Sequence, residues 1–428
     1  MITRPKGTQD IFGEQTREWV ALEQKIRNIA RLYNYSEIRT PIFEKSSVFH
    51  RDVNDTTDIV TKETYDFLDR GKRGMTLRPE GTAGAIRAYI ENKMYASGGV
   101  SKLFYIGPLF RYERPQAGRQ RQFHQFGIEA LNSDSPYLDA EVINVGIAFI
   151  KSIGFGGIKV RINSLGDEES RNNYRKALVS YFKTYEDDLC SDCKVRLEKN
   201  PLRILDCKID SGKEYFKNAP KISDYLNEES KKHFKTVLQS LDLTKTEYVV
   251  DDNLVRGLDY YTHTVFEITA EIEGFGAQNV ICGGGRYNKL VEDLGGPSIP
   301  AVGLAFGLER ILLALKAENV KLVKEKEIHA YIITLGERAH LTASKLTNAL
   351  RYCGLIVETD YQNRGLKSQF KQADKLNSLF TCILGDSELD NGTINVKNNV
   401  TKEQVSMPMC EVKGYLQKNI KHIYKERK

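Results

Sequence analysis

Apolar residues recur at helical spacing in Trp19, Leu22, Ile26 and Ile29, which predicts an early amphipathic helix. Tyr35 to Phe43 then reads as a strand ending near Pro41. From Met75 to Leu131, apolar stretches such as Leu103-Phe104-Tyr105-Ile106 alternate with polar loops and predict strands. Val142, Val145, Phe149 and Ile153 mark another helix, broken by Gly154 to Gly157, and Ile158 to Ile162 reads as a strand. From Asn163 to about Thr244 the pattern changes. This stretch is highly charged, helical in period and poor in glycine, so it predicts a separate helical insertion. Strands with glycine breaks return from Glu247 to Gly303, and a helix follows through Leu315.

The charged run Lys321 to Glu327 predicts a domain boundary. Beyond it, strands at Ile328 to Thr334, Leu355 to Thr359 and Phe380 to Leu384 alternate with helices at Ala339 to Tyr352 and Lys367 to Asn377. Strand and helix in turn imply a small α/β domain with a largely parallel sheet. The expected division is therefore 1–325, with an insertion at about 163–244, and 327–428. A chain of 428 residues is too long for one ordinary core and fits this division.

Hydrophobic residues make up 40% and charged residues 28%, an ordinary globular balance. No run of about 18 apolar residues predicts a membrane span. Met1 to Gly7 lacks the apolar core of a signal peptide, so a cytoplasmic protein is expected. The net charge of +6 permits a polyanionic partner without requiring one. The basic segment Lys418 to Lys428 reads as a solvated tail, with contact to a polyanion's phosphates as the alternative. The seven cysteines are odd in number and scattered, which argues against a disulfide framework. Cys190 and Cys193 have C-x-x-C spacing and Cys207 follows, a set able to ligate zinc. No second close cysteine pair completes it, and His233 is distant in sequence, so free thiols in a reducing compartment are expected.

Five stretches carry chemistry. Phe110 to Phe126 reads as strand, loop, strand, with Arg114, Arg119 and Arg121 on the loop. Guanidinium groups grip phosphate oxygens in pairs, and Tyr112 and Phe123 are placed to stack on a base; an exposed basic hairpin fits equally. In Gly303 to Leu313, Glu309 and Arg310 interrupt an apolar strand-to-helix run. Arg310 there either snorkels to water or is held against a nucleotide. Leu254 to Tyr261 sets glycine beside Arg256 and two tyrosines, and Cys282 to Tyr287 carries three glycines that let the chain approach a ligand closely. Neither G-x-x-x-x-G-K-[ST] nor G-x-G-x-x-G is present. In Thr76 to Thr82, Glu80 and Thr82 suit an ammonium group, or a helix cap near Ala83.

Together these stretches resemble the signature of bacterial-type histidyl-tRNA synthetases. Leu109 to Phe126 resembles class II motif 2, Gly303 to Arg310 motif 3, and Pro41 after a long helix motif 1. Arg256 to Tyr261 and Gly283 to Tyr287 resemble the two segments peculiar to the histidine enzymes.

The resemblance implies an α+β fold: a six- or seven-stranded antiparallel class II sheet with a helical insertion, in a homodimer, plus a C-terminal α/β anticodon-binding domain. It implies ATP and Mg2+, L-histidine and tRNA(His) as substrates and partners, a histidyl-adenylate intermediate, and no membrane. Residue by residue it implies Glu80, Thr82 and Gln125 at the substrate's amino group, and Glu129, Tyr260, Tyr261 and Tyr287 around its imidazole. Arg111 and Arg256 fall at the α-phosphate as the catalytic pair. Arg310, with Glu113, Arg119 and Arg121, falls at the rest of ATP. Two rivals stand beside this reading. One is a non-catalytic regulatory paralogue that shares the core but lacks the C-terminal domain. The other is a generic RNA-binding module, against which the mild charge argues.

Overall fold

The computed structural model describes residues 1–50, 62–116, 118–207, 209–256, 260–272, 280–323 and 327–426. Gly257, Leu258 and Asp259 of the Arg256 motif, Ala117 of the arginine loop, and Arg427 and Lys428 of the basic tail lie outside them. The chain forms two compact units, Met1–Val323 and Lys324–Lys428.

The strands of the first unit are β1 (Ser36–Glu37), β2 (Phe43–Lys45), β3 (Tyr65–Leu68), β4 (Gly74–Leu77), β5 (Ser101–Phe110), β6 (Gln122–Leu131), β7 (Lys159–Ser164), β8 (Tyr248–Val250), β9 (Thr262–Thr269), β10 (Val280–Arg286) and β11 (Ala301–Gly307). Eight of them form one sheet in the order β1-β5-β6-β11-β10-β9-β7-β8. The six inner strands pair antiparallel. The short edges β1 and β8 pair parallel to β5 and β7. The expected six- or seven-stranded antiparallel sheet is therefore six antiparallel strands with a parallel strand at each edge. The strand expected over Tyr35 to Phe43 splits: Ser36–Glu37 joins the large sheet, while Phe43–Lys45 joins the small sheet β2-β4-β3.

Alternation along each strand gives the large sheet two different faces. Phe126, Ile128, Val302, Leu304, Phe306, Phe266 and Ile268 point to one face, under helices Glu14–Leu32, Pro136–Ser152, Glu228–Leu243 and Leu308–Ala317. The predicted stripe Trp19, Leu22, Ile26 and Ile29 is buried there. Each fully buried large aliphatic side chain contributes roughly 1.5–3 kcal/mol relative to exposure. The opposite face carries Leu103, Glu129, Leu131, Val265, Gly283, Gly285, Ala301 and Gly303, and is flanked by helix Thr82–Glu91. That face holds the candidate site.

Between β7 and β8 runs the helical stretch, with helices Glu168–Lys183, Ser191–Lys199 and Glu228–Leu243. Asn163 and Ser164, expected inside it, complete β7 instead.

The second unit has strands β12 (Ile328–Thr334), β13 (Val357–Thr359), β14 (Ser378–Leu384), β15 (Thr393–Asn398) and β16 (Gln404–Pro408), in the order β13-β12-β14-β15-β16. β12 pairs parallel with β13 and β14, whereas β14-β15 and β15-β16 pair antiparallel. The sheet is mixed rather than largely parallel. The basic segment at the end belongs to helix Val412–Glu426. Leu416, Ile420 and Ile423 of that helix are buried in the unit's core, so the described part of the segment is half packed and not a free tail.

Candidate active site

The centre of the site face is a buried carboxylate. Glu129 on β6 is 1% exposed. Thr82 Oγ1 donates to its Oε1 at 2.7 Å, and the Tyr287 hydroxyl donates to its Oε2. Burial raises its pKa, the hydrogen bonds from Tyr287 and Thr82 work against that, and the neighbouring Glu80 adds to the rise; the result is about 8. Across the ladder Glu129 faces Gly303 of β11. A Cβ on Gly303 would lie 2.1 Å from Glu129 Oε2, so only glycine lets the carboxylate lie flat on the sheet.

Glu80 lies on the turn before helix Thr82–Glu91. Its two oxygens accept from the backbone N–H groups of Thr82 and Ala83, each at 2.8 Å. Glu80 is thus the cap, a role the sequence left open to Thr82, whose hydroxyl points to Glu129 instead. Gln125, half-buried on β6, stands between Gly107 and Gly307 of the flanking strands. Tyr261 and Tyr287 are buried, and Tyr260 lies 4.9 and 5.5 Å from them between ring centroids. Burial pushes the Tyr261 phenol up to about 12, against the pull of the adjacent Arg256.

The arginines take fixed positions. The Arg256 guanidinium lies over Gly283, where a Cβ would come within 2.1 Å of it, and donates to Glu267 on β9. Arg111 donates from Nε to the Pro79 carbonyl at 2.9 Å and stacks on Phe123 at 5.2 Å. Burial lowers its pKa, against the charges of Glu63, Glu113 and Glu80. Arg121 stacks on Tyr112 at 4.0 Å, so each ring expected to receive a base already carries an arginine on one side. Arg119 is exposed and pairs with Glu113 across 3.5 Å. Arg310, half-buried at the start of helix Leu308–Ala317, donates to the Val280 carbonyl at 2.8 Å and lies beside Gly118 at the loop tip. Burial and the charge of Arg119 both lower its pKa.

Two groups of residues thus gather on this face. Glu80, Thr82, Glu129 and Tyr287 are joined through hydrogen bonds, with Tyr260 and Tyr261 beside them. Glu113, Arg119, Arg121 and Arg310 gather at the β5-β6 loop. Sequence reasoning missed three participants. Tyr105 on β5 fills the space above Gly81 and Gly127, where a Cβ would meet its ring at 2.2–2.3 Å. Glu267 holds Arg256 and also receives Arg161 at 3.2 Å. Glu309 accepts the His124 backbone N–H at 2.9 and 3.0 Å and contacts its Nδ1 at 2.9 Å, tying the Arg310 helix to β6. Only the Glu309-Arg310 interruption of an apolar run signalled any of these.

The family model described as histidyl-tRNA synthetase matches residues 7–166 and 194–311, and an anticodon binding domain matches 329–419. A histidine--tRNA ligase of Bacillus cytotoxicus is 52% identical over 416 residues, covering 97% of this chain and 98% of that protein. Histidine--tRNA ligase 1 of Shouchella clausii is 50% identical, covering 98% and 99%. The crystal structure of apo S. aureus histidyl-tRNA synthetase superimposes with a TM-score of 0.84 at 42% identity, covering 97% of this chain and all of that one. Matches of this length and identity, running through both units, show that the chain belongs to the histidyl-tRNA synthetase family.

Proposed function

We propose that the site face activates L-histidine with ATP and passes it to tRNA(His), with the residues above in the following roles. The histidine carboxylate attacks the α-phosphorus of ATP in line, and pyrophosphate leaves with its magnesium. A terminal ribose hydroxyl of the tRNA then attacks the carbonyl carbon of the adenylate, and AMP leaves. The chemistry requires positioning and charge neutralisation more than a nucleophile of the protein.

The observation that carries this reading is Glu129: a buried carboxylate held by two hydroxyls, with no cation among its described partners. Each Glu129 oxygen keeps a lone pair beyond the hydroxyl it already accepts, and an imidazole N–H supplies a donor for it. A competitor without that N–H leaves this buried acceptor capacity unfilled, which is a basis for selection. Tyr261, Tyr260 and Tyr287 wall the ring. Each Glu80 oxygen keeps a lone pair for the substrate's ammonium, with Thr82 and Gln125 beside it. Arg256 and Arg111 neutralise the α-phosphate in the transition state. Arg310, Arg119 and Arg121 hold the rest of ATP. Magnesium ATP is the substrate form; Glu113 is a hard oxygen donor beside that loop, of the kind magnesium accepts.

The second unit reads the anticodon, the helical stretch between β7 and β8 leans on the acceptor stem, and two chains form a homodimer. Among the described residues no helix is long and apolar enough to cross a membrane. The second unit, matched by an anticodon binding domain over 329–419, counts against a regulatory paralogue that lacks it.

ATP–pyrophosphate exchange without tRNA tests the reading. Exchange should depend on histidine alone among the standard amino acids. Arg256→Ala should lower its rate roughly 10²–10³-fold while histidine still binds, the usual effect of removing one transition-state donor. Near-normal exchange by that variant would remove Arg256 from the α-phosphate.

A further inference from the structure

We propose that Cys190, Cys193, Cys207 and Asp210 hold a structural zinc ion in the stretch between β7 and β8. One donor atom from each of the four lies within 4.8 Å of every other. Cys193, Cys207 and Asp210 are buried and Cys190 is half-buried. All three cysteines carry free thiols. None of the four belongs to the site face.

The spacing fits the metal. Zinc–sulfur bonds of about 2.3 Å in a tetrahedron set sulfur–sulfur edges near ~3.8 Å. The Cys190 and Cys207 Sγ atoms are 3.7 Å apart, and Cys207 Sγ lies 3.8 Å from Asp210 Oδ2. The donors come as two x-x pairs, Cys190–Cys193 and Cys207–Asp210. The second escaped the sequence reading because it ends in an aspartate. Three soft thiolates with one carboxylate favour zinc over magnesium or calcium, which take oxygen ligands. Four protein ligands close the coordination sphere, as in sites that hold structure and do not catalyse.

The surroundings match an anionic centre. The Asp210 N–H donates to Cys207 Sγ at 3.4 Å, and the Cys190 N–H donates to Asp210 Oδ2 at 3.0 Å. Lys213 Nζ reaches Asp210 Oδ1 at 2.9 Å. Such outer contacts fix ligand orientation and disperse charge. A Cys190–Cys207 disulfide would leave Cys193 and the buried Asp210 unused.

The position explains the need. The cluster sits in a small core of its own, with Tyr174, Leu178, Phe182, Leu197 and Phe216. Small cores rarely suffice alone and are often stapled by a metal or a disulfide. Here the metal would tie the start of helix Ser191–Lys199 to the turn after the short helix Pro201–Asp206.

The test uses the full chain, expressed and purified under reducing conditions without chelator. Metal analysis should find about one zinc per chain, as a single closed site requires, and a mercurial that caps thiols should release it. Cobalt exchanged into the protein should show sulfur-to-cobalt charge transfer and the d–d bands of a tetrahedral ion. Cys193→Ser and Cys207→Ser should lose the metal, Asp210→Ala should bind it at least ~10-fold more weakly, and the exposed thiol control Cys410→Ser should keep it. Wild-type protein that carries no zinc and gives no tetrahedral cobalt spectrum overturns the site even where variants fail to fold. So does a Cys190–Cys207 disulfide by mass spectrometry, or full zinc affinity in Asp210→Ala. Metal content is read independently of histidine activation, so either reading can fail without the other.

Discussion

Two carboxylates are buried on opposite faces of the same sheet, and their surroundings differ. Asp139, on helix Pro136–Ser152, is fully buried on the helix-covered face. It receives Arg286 Nε at 2.9 Å, His233 Nε2 at 2.8 Å and the Thr264 hydroxyl at 2.7 Å. Burial alone would raise its pKa, but the charge of Arg286 and the His233 contact override that and lower it. Glu129 on the other face has hydroxyls where Asp139 has a guanidinium, and its pKa rises to about 8. A buried acid supplied with its own cation is complete and structural. A buried acid supplied only with neutral donors keeps capacity for a ligand.

The largest test of that contrast is Arg286→Leu. It strands Asp139 without its cation and should cost roughly 3–5 kcal/mol of stability, read by urea unfolding. A loss under about 1 kcal/mol would mean that Asp139 does not depend on its partner. Glu129→Gln should leave stability intact or improved. It should raise the histidine KM in pyrophosphate exchange roughly 10–100-fold, the worth of a hydrogen bond to a charged group. An unchanged KM would make Glu129 as structural as Asp139.

The smallest effect is the pH dependence. The folded pKa of Glu129 lies above its unfolded value, so its contribution is fully present below the ordinary carboxylate range and is lost as pH rises toward about 8. Asp139 has the opposite sign: its lowered pKa gives stability that is lost on acidification. The melting temperature of Glu129→Gln relative to wild type should therefore climb from about pH 5 to about pH 8 and flatten beyond. A flat difference across that window would deny Glu129 its raised pKa.

The helices and strands of this core were legible because their apolar periods are long and regular, as in the Trp19 to Ile29 stripe and the Val142 to Ile153 helix. The sheet order was not: neighbours such as β6 and β11 are separated by more than 160 residues. Site residues were readable as types that suit phosphate and ammonium ligands, and the family resemblance supplied their roles. Pairings remained hidden, since Arg286 meets Asp139 across 147 positions and neither residue type announces the other. In the second unit, β15 shows period two in Ile394 and Val396, but the stretch is short and polar. Lysines obscured the apolar stripe of helix Val412–Glu426. Asp210 was missed because aspartates are too common for one to stand out beside three cysteines.

The Glu129–Gly303 juxtaposition depends on how β6 and β11 are aligned. Three rungs away Phe126 lies opposite Phe306, on the other face, with the rings stacked 5.6 Å apart and nearly parallel at 4°. A slip of one residue would separate that stack and slide the carboxylate off its glycine at the same time. The aromatic pair thus acts as a ruler for the pocket. The place of the Glu129 carboxylate over its glycine is set partly by two phenylalanines on the far side of the sheet.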